Sequence, residues 1–321
     1  MPEIPSSFIP PGRRAIVRAM QLVPAFGEWS WRVVNKAAKT FAGQQRIGRT
    51  YFGDRMMLDL GDFIGTRIYH FGVWEPHLSA FIQGRLRPDA VFCDAGANIG
   101  YYSLLAARAV GAGGRVVAIE PSPFTSGELE RNIAVNGLCN VRVVHAALSD
   151  RPCVVTLYHA VRGNRGATTT VAVRGFAKEA EVSALPLDQI LLPEEKRRLQ
   201  LIKIDVEGAE GPILDNLLRT LDQYSAEMEI VCELSVCGTT SNAPSADALI
   251  QSFAGSGFRA FSIPNPYDIA AYLAFRNSQP PLPAVPPLTE QTNILFSRQY
   301  RPAECGRPSV RDRTRRRPDL S

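Results

Sequence analysis

The chain has 321 residues, 45% hydrophobic and 21% charged, a globular composition long enough for one large α/β domain with extensions. Its formal net charge of +5 sits in the tail, where eight arginines from Arg298 onward face only Glu304, Asp312 and Asp319, so the basic pI gives no support to a nucleic-acid groove on the domain. No apolar run reaches the roughly 18 residues of a membrane span. The six cysteines show neither metal-ligand nor redox spacing, and as free thiols they fit a cytoplasmic protein.

Residues 13–42 read as a helix with Ile16, Met20, Val23 and Val34 on one side and Arg13, Arg14, Arg18 and Lys36 on the other. Pro24 and Gly27 interrupt it, which favours packing on the domain over lying on a membrane surface. Met1 to Pro5 lacks the charged and apolar regions of a signal peptide. Residues 49–74 read as a β-rich lead-in, with strands over Met56 to Leu60 and Gly65 to Tyr69. Pro76 then opens a helix that ends near Gly84.

From residue 90 strands and helices alternate. Strands are expected at 90–94, 115–120, 141–146, 201–205, 229–234, 258–263 and 292–297, with helices at 99–110, 122–136, 210–221 and 245–255. The pattern predicts a seven-stranded, mostly parallel α/β sheet covered on both faces. The last two strands have only a Pro-rich loop between them, so they should close the sheet as an antiparallel hairpin. An insertion after the third strand carries extra strands at 153–158 and 181–185, and its 159–175 loop is a candidate lid. The domain organisation is then an extension over 1–69, a domain over 70–298, and a disordered Arg-rich tail over 299–321.

Asp94-Ala-Gly-Ala-Asn-Ile-Gly100 joins the first strand to its helix. A strand, a glycine turn and a helix form the unit that binds nucleotide-like cofactors. The spacing is not Gly-x-Gly-x-x-Gly, and a carboxylate at Asp94 would repel a pyrophosphate but suit an ammonium and a sulfonium. The cofactor expected is therefore S-adenosylmethionine. Asp94 would hold its amino-acid end. Gly96, Ala97 and Asn98 would offer backbone contacts, and Gly100 would allow close approach of the helix. Glu120 ends the next strand twenty residues beyond Gly100, where its two oxygens can accept from a ribose hydroxyl pair. Ala146 and Ala147, after the third strand, would pack near adenine.

The second charged cluster is Asp205-Val-Glu207-Gly-Ala-Glu210, following Leu201-Ile-Lys-Ile. Carboxyl ends of parallel strands line the ligand crevice, so Asp205 should face the same cleft as Asp94 and Glu120. Glu233, at the end of the next strand, adds a further carboxylate.

Together, Asp94-Ala-Gly-Ala-Asn-Ile-Gly-Tyr-Tyr-Ser, Glu120-Pro-Ser-Pro, Arg131-Asn-Ile-Ala-Val-Asn136, Leu185-Pro-Leu-Asp188, Ile204-Asp-Val-Glu-Gly-Ala-Glu210 and Asn293-Ile-Leu-Phe296 resemble the FkbM family of S-adenosylmethionine-dependent methyltransferases. The resemblance covers about residues 70–298. It implies a class I methyltransferase (Rossmann-like) fold and O-methylation of a hydroxyl on a sugar, glycan or secondary metabolite. One departure is Glu233-Leu-Ser235, where the family often has Glu-x-His. Methyl transfer is an in-line displacement in which the protein aligns the reactants and excludes water. An alcohol must lose its proton, and Asp205 or Glu207 is the expected base. An alternative sets Asp205, Glu207 and Glu233 around Mg²⁺. Three other readings remain at this point. They are a nicotinamide-dependent oxidoreductase, a nucleic-acid base methyltransferase, and a methyltransferase-like module that binds without turnover. Partners are then a small-molecule or glycan acceptor; the sequence does not name it.

Overall fold

The computed structural model describes residues 43–160, 168–169, 176–206, 208–234, 244–268, 272, 281–284, 288 and 291–301. The expected helix over 13–42, most of the 159–175 loop, Glu207 and the tail beyond residue 301 lie outside them. In chain order the elements are β1 (Gln45–Arg49), β2 (Arg55–Asp59), α1 (Phe63–Phe71), α2 (Pro76–Arg85), β3 (Val91–Ala95), α3 (Tyr101–Val110), β4 (Arg115–Ile119), α4 (Pro123–Val135) and β5 (Val141–Val144). Then come β6 (Ala147–Leu148), β7 (Cys153–Ala160), β8 (Thr168–Thr169), β9 (Phe176–Leu185), α5 (Leu187–Ile190), α6 (Pro193–Arg198), β10 (Leu199–Ile204) and α7 (Glu210–Arg219). The chain closes with β11 (Glu229–Leu234), α8 (Ala246–Gly255), β12 (Arg259–Ile263), β13 (Leu282–Pro283) and β14 (Thr292–Ser297).

The main sheet runs β13-β12-β14-β11-β10-β3-β4-β5. The five strands from β11 to β5 are parallel, and β14 is antiparallel to both β11 and β12. The closing hairpin thus forms as expected, with β14 slotted between β11 and β12. The expected seven strands gain an eighth, the two-residue β13, which pairs antiparallel with β12. So short a pairing has no periodicity to read in a Pro-rich stretch.

Every residue of β3 and β10 is buried, as strands covered on both faces must be. Successive residues feed opposite cores. Cys93, Val117, Ile202 and Ile230 pack under α7 and α8. Phe92, Val116, Leu201 and Val231 pack under α2 and α3. Asp94 and Lys203 stand side by side in register on this second face.

The lead-in differs from expectation at Gly65 to Tyr69, which belongs to helix α1 and not to a strand. The Asp62 carboxylate accepts from the Gly65 amide at 2.8 Å as an N-cap, and Gly72 ends the helix at φ 74. Ile64, Ile68 and Phe71 follow the helical spacing between these caps. The expected domain junction at 69/70 falls inside this helix. β2 is tied to α4 by two asparagines of the Arg131–Asn136 motif. The Met57 amide donates to Asn132 Oδ1 at 2.7 Å and the Arg55 amide to Asn136 Oδ1 at 2.9 Å. Met56 and Leu58 are fully buried in the core that holds Phe92 and Leu104.

The insertion strands expected at 153–158 and 181–185 are β7 and the end of β9, in a separate four-stranded sheet ordered β6-β9-β7-β8. Among the described residues no helix is long and apolar enough to cross a membrane.

Because Leu58 shares the core of the main sheet, Leu58→Ala is expected to cost about 2–5 kcal/mol. Urea unfolding followed by circular dichroism should show the whole loss in a single transition. A separate early transition for the lead-in would contradict one shared core.

Candidate active site

The carboxyl edge of the sheet sets the site out in a line. Glu233 ends β11, Asp205 follows β10, the Gly96 turn follows β3, Glu120 follows β4, and Ala146–Ala147 follow β5. Three strand spacings put Glu233 roughly 14 Å from Glu120. One cleft, open to solvent at its mouth, runs along this edge.

The turn after β3 is held against the neighbouring strand ends by backbone hydrogen bonds. Gly96 and Ala97 both donate to the Ile119 carbonyl at 3.0 Å, and the Asp205 amide donates to the Ala95 carbonyl at 3.0 Å. Gly96 has φ +80, and a Cβ there would stand 1.8 Å from the Asp205 carbonyl oxygen. Glycine is therefore required at this position both for its conformation and for space. Asn98 is also left-handed, at φ 49, a conformation that asparagine tolerates better than most residues.

Glu120 locks that turn. Its Oε2 accepts from the Asn98 amide at 2.8 Å and its Oε1 from the Ser122 amide at 3.0 Å. Burial pushes its carboxyl up to about 7, against the pull of these two amides. Each oxygen keeps a lone-pair direction for a further donor. Beside it Ile119, Ala147, Leu148 and Leu157 give the cleft an apolar end. The insertion sheet supplies Leu157, and it is anchored where Ser122 Oγ donates to Glu179 Oε1 at 2.7 Å.

The opposite end is acidic. Lys203, 3% exposed, donates to Asp205 Oδ2 at 2.9 Å and stands 5.2 Å from the Tyr102 ring centroid. Burial pulls its ammonium down, but Asp205, Asp94 and Glu75 together outweigh this and hold it above the ordinary lysine range. Burial, then Asp205 and Glu75, push Glu233 up to about 8. Glu75, 4% exposed, is likewise raised by burial and accepts from Tyr102 Oη at 2.6 Å.

Gly96, Ala97, Asn98, Glu120, Ala147 and Asp205 line the cleft. Asp94, Gly100 and Ala146 support it from behind. Asp94 is fully buried beneath the turn, raised by burial, with Oδ2 accepting from Ser103 Oγ at 2.6 Å and Oδ1 without a partner. Gly100, at φ +91, begins α3, and a Cβ there would press on Leu129 Cδ1 at 2.4 Å, so its smallness serves helix packing. Ala146 is buried. Glu210 turns back onto its own loop, where its Oε1 accepts from the Gly208 amide at 3.0 Å and the Val206 amide at 3.3 Å. Glu207 lies outside the described residues. Among those residues no His, Cys, Asp and Glu side chains are grouped as metal ligands.

Sequence reasoning missed Trp74, Glu75, Lys203 and Tyr267, which also line the cleft. Lys203 left a signal, since a lysine inside Leu201-Ile-Lys-Ile is out of place in a buried strand. Glu75 before Pro76 reads as an ordinary helix cap, and Tyr267 as part of a turn.

Residues 94–260 match the family described as Methyltransferase FkbM domain. Methyltransferase sdnD of Sordaria araneosa is 30% identical over 150 residues, covering 38% of this chain and 58% of that protein. The match thus spans little more than half of that relative's length. Methyltransferase 1 of Beauveria bassiana is 27% identical over 183 residues, covering 51% of this chain and 71% of that protein. Among solved structures, an S-adenosylmethionine-dependent O-methyltransferase from Thermotoga maritima aligns over 80% of this chain and 79% of its own, with TM-score 0.40 and 15% identity.

Gly96→Ala is expected to cost about 3 kcal/mol or more, since it combines backbone strain with a clash against a main-chain oxygen. Gly100→Ala should cost less, because the flexible Leu129 side chain can give way. Paired denaturant titrations would check the order, and equal losses would refute the backbone-contact explanation.

Proposed function

From the premise that this chain belongs to the FkbM methyltransferase family, we propose that it methylates a neutral hydroxyl on a small molecule or glycan, with S-adenosylmethionine as cofactor. The supporting observation is the pairing of a buried carboxylate and a half-buried one on one cleft. Glu120 stands at its apolar end and Glu233 at its acidic end.

The residues fit the cofactor. Glu120 has acceptor capacity left for two ribose hydroxyls. Ile119, Ala147, Leu148 and Leu157 offer an apolar wall for adenine. Gly96, Ala97 and Asn98 bring main chain, with no bulky side chain at Gly96, to the middle of the cleft. Asp94 and Asp205 make that middle favourable to positive charge, with the cation Lys203 already beside them. When bound, the cofactor supplies an electrophilic methyl group on a positively charged sulfur.

The protein's remaining task is to orient an acceptor oxygen and take its proton. Asp205 and Glu207 are the bases the sequence suggests. Glu233 joins them on geometry, because it lines the cleft beside Asp205 while Asp205 has Lys203 as an ion-pair partner. A carboxylate raised to about 8 holds a transferred proton better than an ordinary one. The acidic lining disfavours phosphorylated or carboxylated acceptors, which points to an uncharged hydroxyl compound.

Titration calorimetry with S-adenosylmethionine tests the cofactor assignment. Ribose hydroxyls donate to the ionised form of Glu120, so affinity should fall as pH drops through about 7. Between pH 8 and pH 6 the expected loss is about tenfold, in proportion to the ionised fraction. Glu120→Gln should bind weakly and without this pH dependence. No S-adenosylmethionine binding by the wild type would overturn the assignment.

Transfer of a tritiated methyl group to a panel of neutral hydroxyl compounds tests the base. Glu233→Gln should lower the rate by about 10²–10⁴-fold and leave cofactor affinity intact. The wild-type rate should fall below about pH 8, as Glu233 becomes protonated, and level off above it. An unchanged rate in Glu233→Gln would return the role to Asp205 or Glu207.

A further inference from the structure

Glu75 occupies the N-cap position of α2, where a carboxylate ordinarily accepts from the first helix amides. It makes no such bond. Its backbone is left-handed, at φ 40, an unusual state for a glutamate and one that directs the side chain elsewhere. The buried carboxylate instead collects three donors. Oε2 accepts from Tyr102 Oη at 2.6 Å. Oε1 accepts from Asn265 Nδ2 and, at 3.1 Å, from Tyr267 Oη. Two of these donors belong to the short segment that follows β12, more than 180 residues away in sequence. The same segment is also held by the buried Arg67, which donates to the Tyr267 carbonyl at 3.0 Å.

The fastened segment completes a wall. The Tyr267 and Trp74 rings lie 5.7 Å apart at 35°, and Phe63 meets both edge-on, at 6.1 and 5.8 Å. Trp74 and Tyr267 line the cleft at the end that also holds Glu233 and Asp205, and Tyr267 keeps 42% of its surface exposed. Partly exposed aromatic faces beside hydrogen-bonding groups suit a ligand with an apolar face and polar edges. Asp205 and, once ionised above about pH 8, Glu233 disfavour an anionic one.

We propose that Trp74 and Tyr267 form the acceptor subsite, that an uncharged ring of the acceptor stacks on them, and that Glu75 is the positioning residue that fastens this wall. The proposal rests on the methyl-transfer reading above. Glu75 acts through Tyr267 and touches no reacting atom. Trp74 is itself a natural reporter of the subsite, since the chain has only Trp29 and Trp31 besides it.

The test uses the full chain with Trp29→Phe and Trp31→Phe, saturated with S-adenosylhomocysteine so that no turnover occurs. Trp74 fluorescence is titrated with methyl mannopyranoside and with the corresponding uronate, the same ring bearing a carboxylate. Saturable quenching by the neutral glycoside, and binding of the uronate at least about tenfold weaker, are expected. Glu75→Ala should weaken the neutral probe about tenfold, roughly 1.4 kcal/mol, and shift Trp74 emission to the red. Its cofactor affinity should match wild type, which also reports that it folds. Glu75→Gln keeps hydrogen-bonding capacity toward Asn265 and Tyr267 and should restore probe binding. A merely structural role would not separate probe from cofactor in this way. Equal loss of both ligands in Glu75→Ala, unchanged probe affinity and emission, or no quenching by the neutral probe in a wild type that binds cofactor would each overturn the proposal. Absence of cofactor binding in the wild type is a different result, and it would sink the methyl-transfer reading itself.

Discussion

The site depends on one backbone contact. The turn after β3 passes so close to the main chain at Asp205 that only hydrogen fits on the Gly96 α-carbon. That contact is closed on both sides by main-chain hydrogen bonds, from Asp205 to Ala95 and from Gly96 and Ala97 to Ile119. Three strand ends are thereby stitched into one edge. Side chains can rearrange around a ligand at small cost, but main chain held on both sides cannot. The positions of Asn98, Glu120 and Asp205 along the cleft follow from this arrangement.

Electrostatics then divides the cleft. Burying an ammonium costs several kcal/mol unless it is paired. Lys203 is compensated by Asp205 directly and by Asp94 and Glu75 at longer range. The compensation also works in reverse. The acids around Lys203 exceed what one cation neutralises, so burial and mutual repulsion push Glu75, Asp94 and Glu233 upward. Such a set accepts positive charge and protons readily. The apolar end, built partly by the insertion sheet, has one acid of this kind, Glu120, held by the amides of the turn.

Elements distant in sequence close the site from above and beside it. Asn132 holds the Ile99 carbonyl at 2.8 Å with its Nδ2 and the Met57 amide with its Oδ1. One side chain thus joins the cofactor-side turn, α4 and the lead-in hairpin. Glu75 does the same at the other end for α2, α3 and the segment after β12. Both are single polar residues whose local roles, a helix interior and a helix cap, give no hint of the long-range bonds they make.

The sequence by itself determined the β/α alternation, the antiparallel closure, the glycine turn and the spaced acids at the ends of β4, β10 and β11. These rest on local rules: the period of apolar residues, the left-handed freedom of glycine, and the fact that strand ends in a parallel sheet share one edge. It misjudged Gly65 to Tyr69, because five residues rich in β-formers do not reveal the Asp62 and Gly72 caps that make them a helix. It set Asp94 on the cleft, whereas the side chain points under the turn to Ser103, since strand parity and not proximity in sequence decides the face. Only the tertiary structure decided that Trp74, Glu75, Lys203 and Tyr267 meet at the acidic end. Their contacts span up to 192 residues, and a bond of that reach depends on how the sheet orders its strands, which no local pattern encodes.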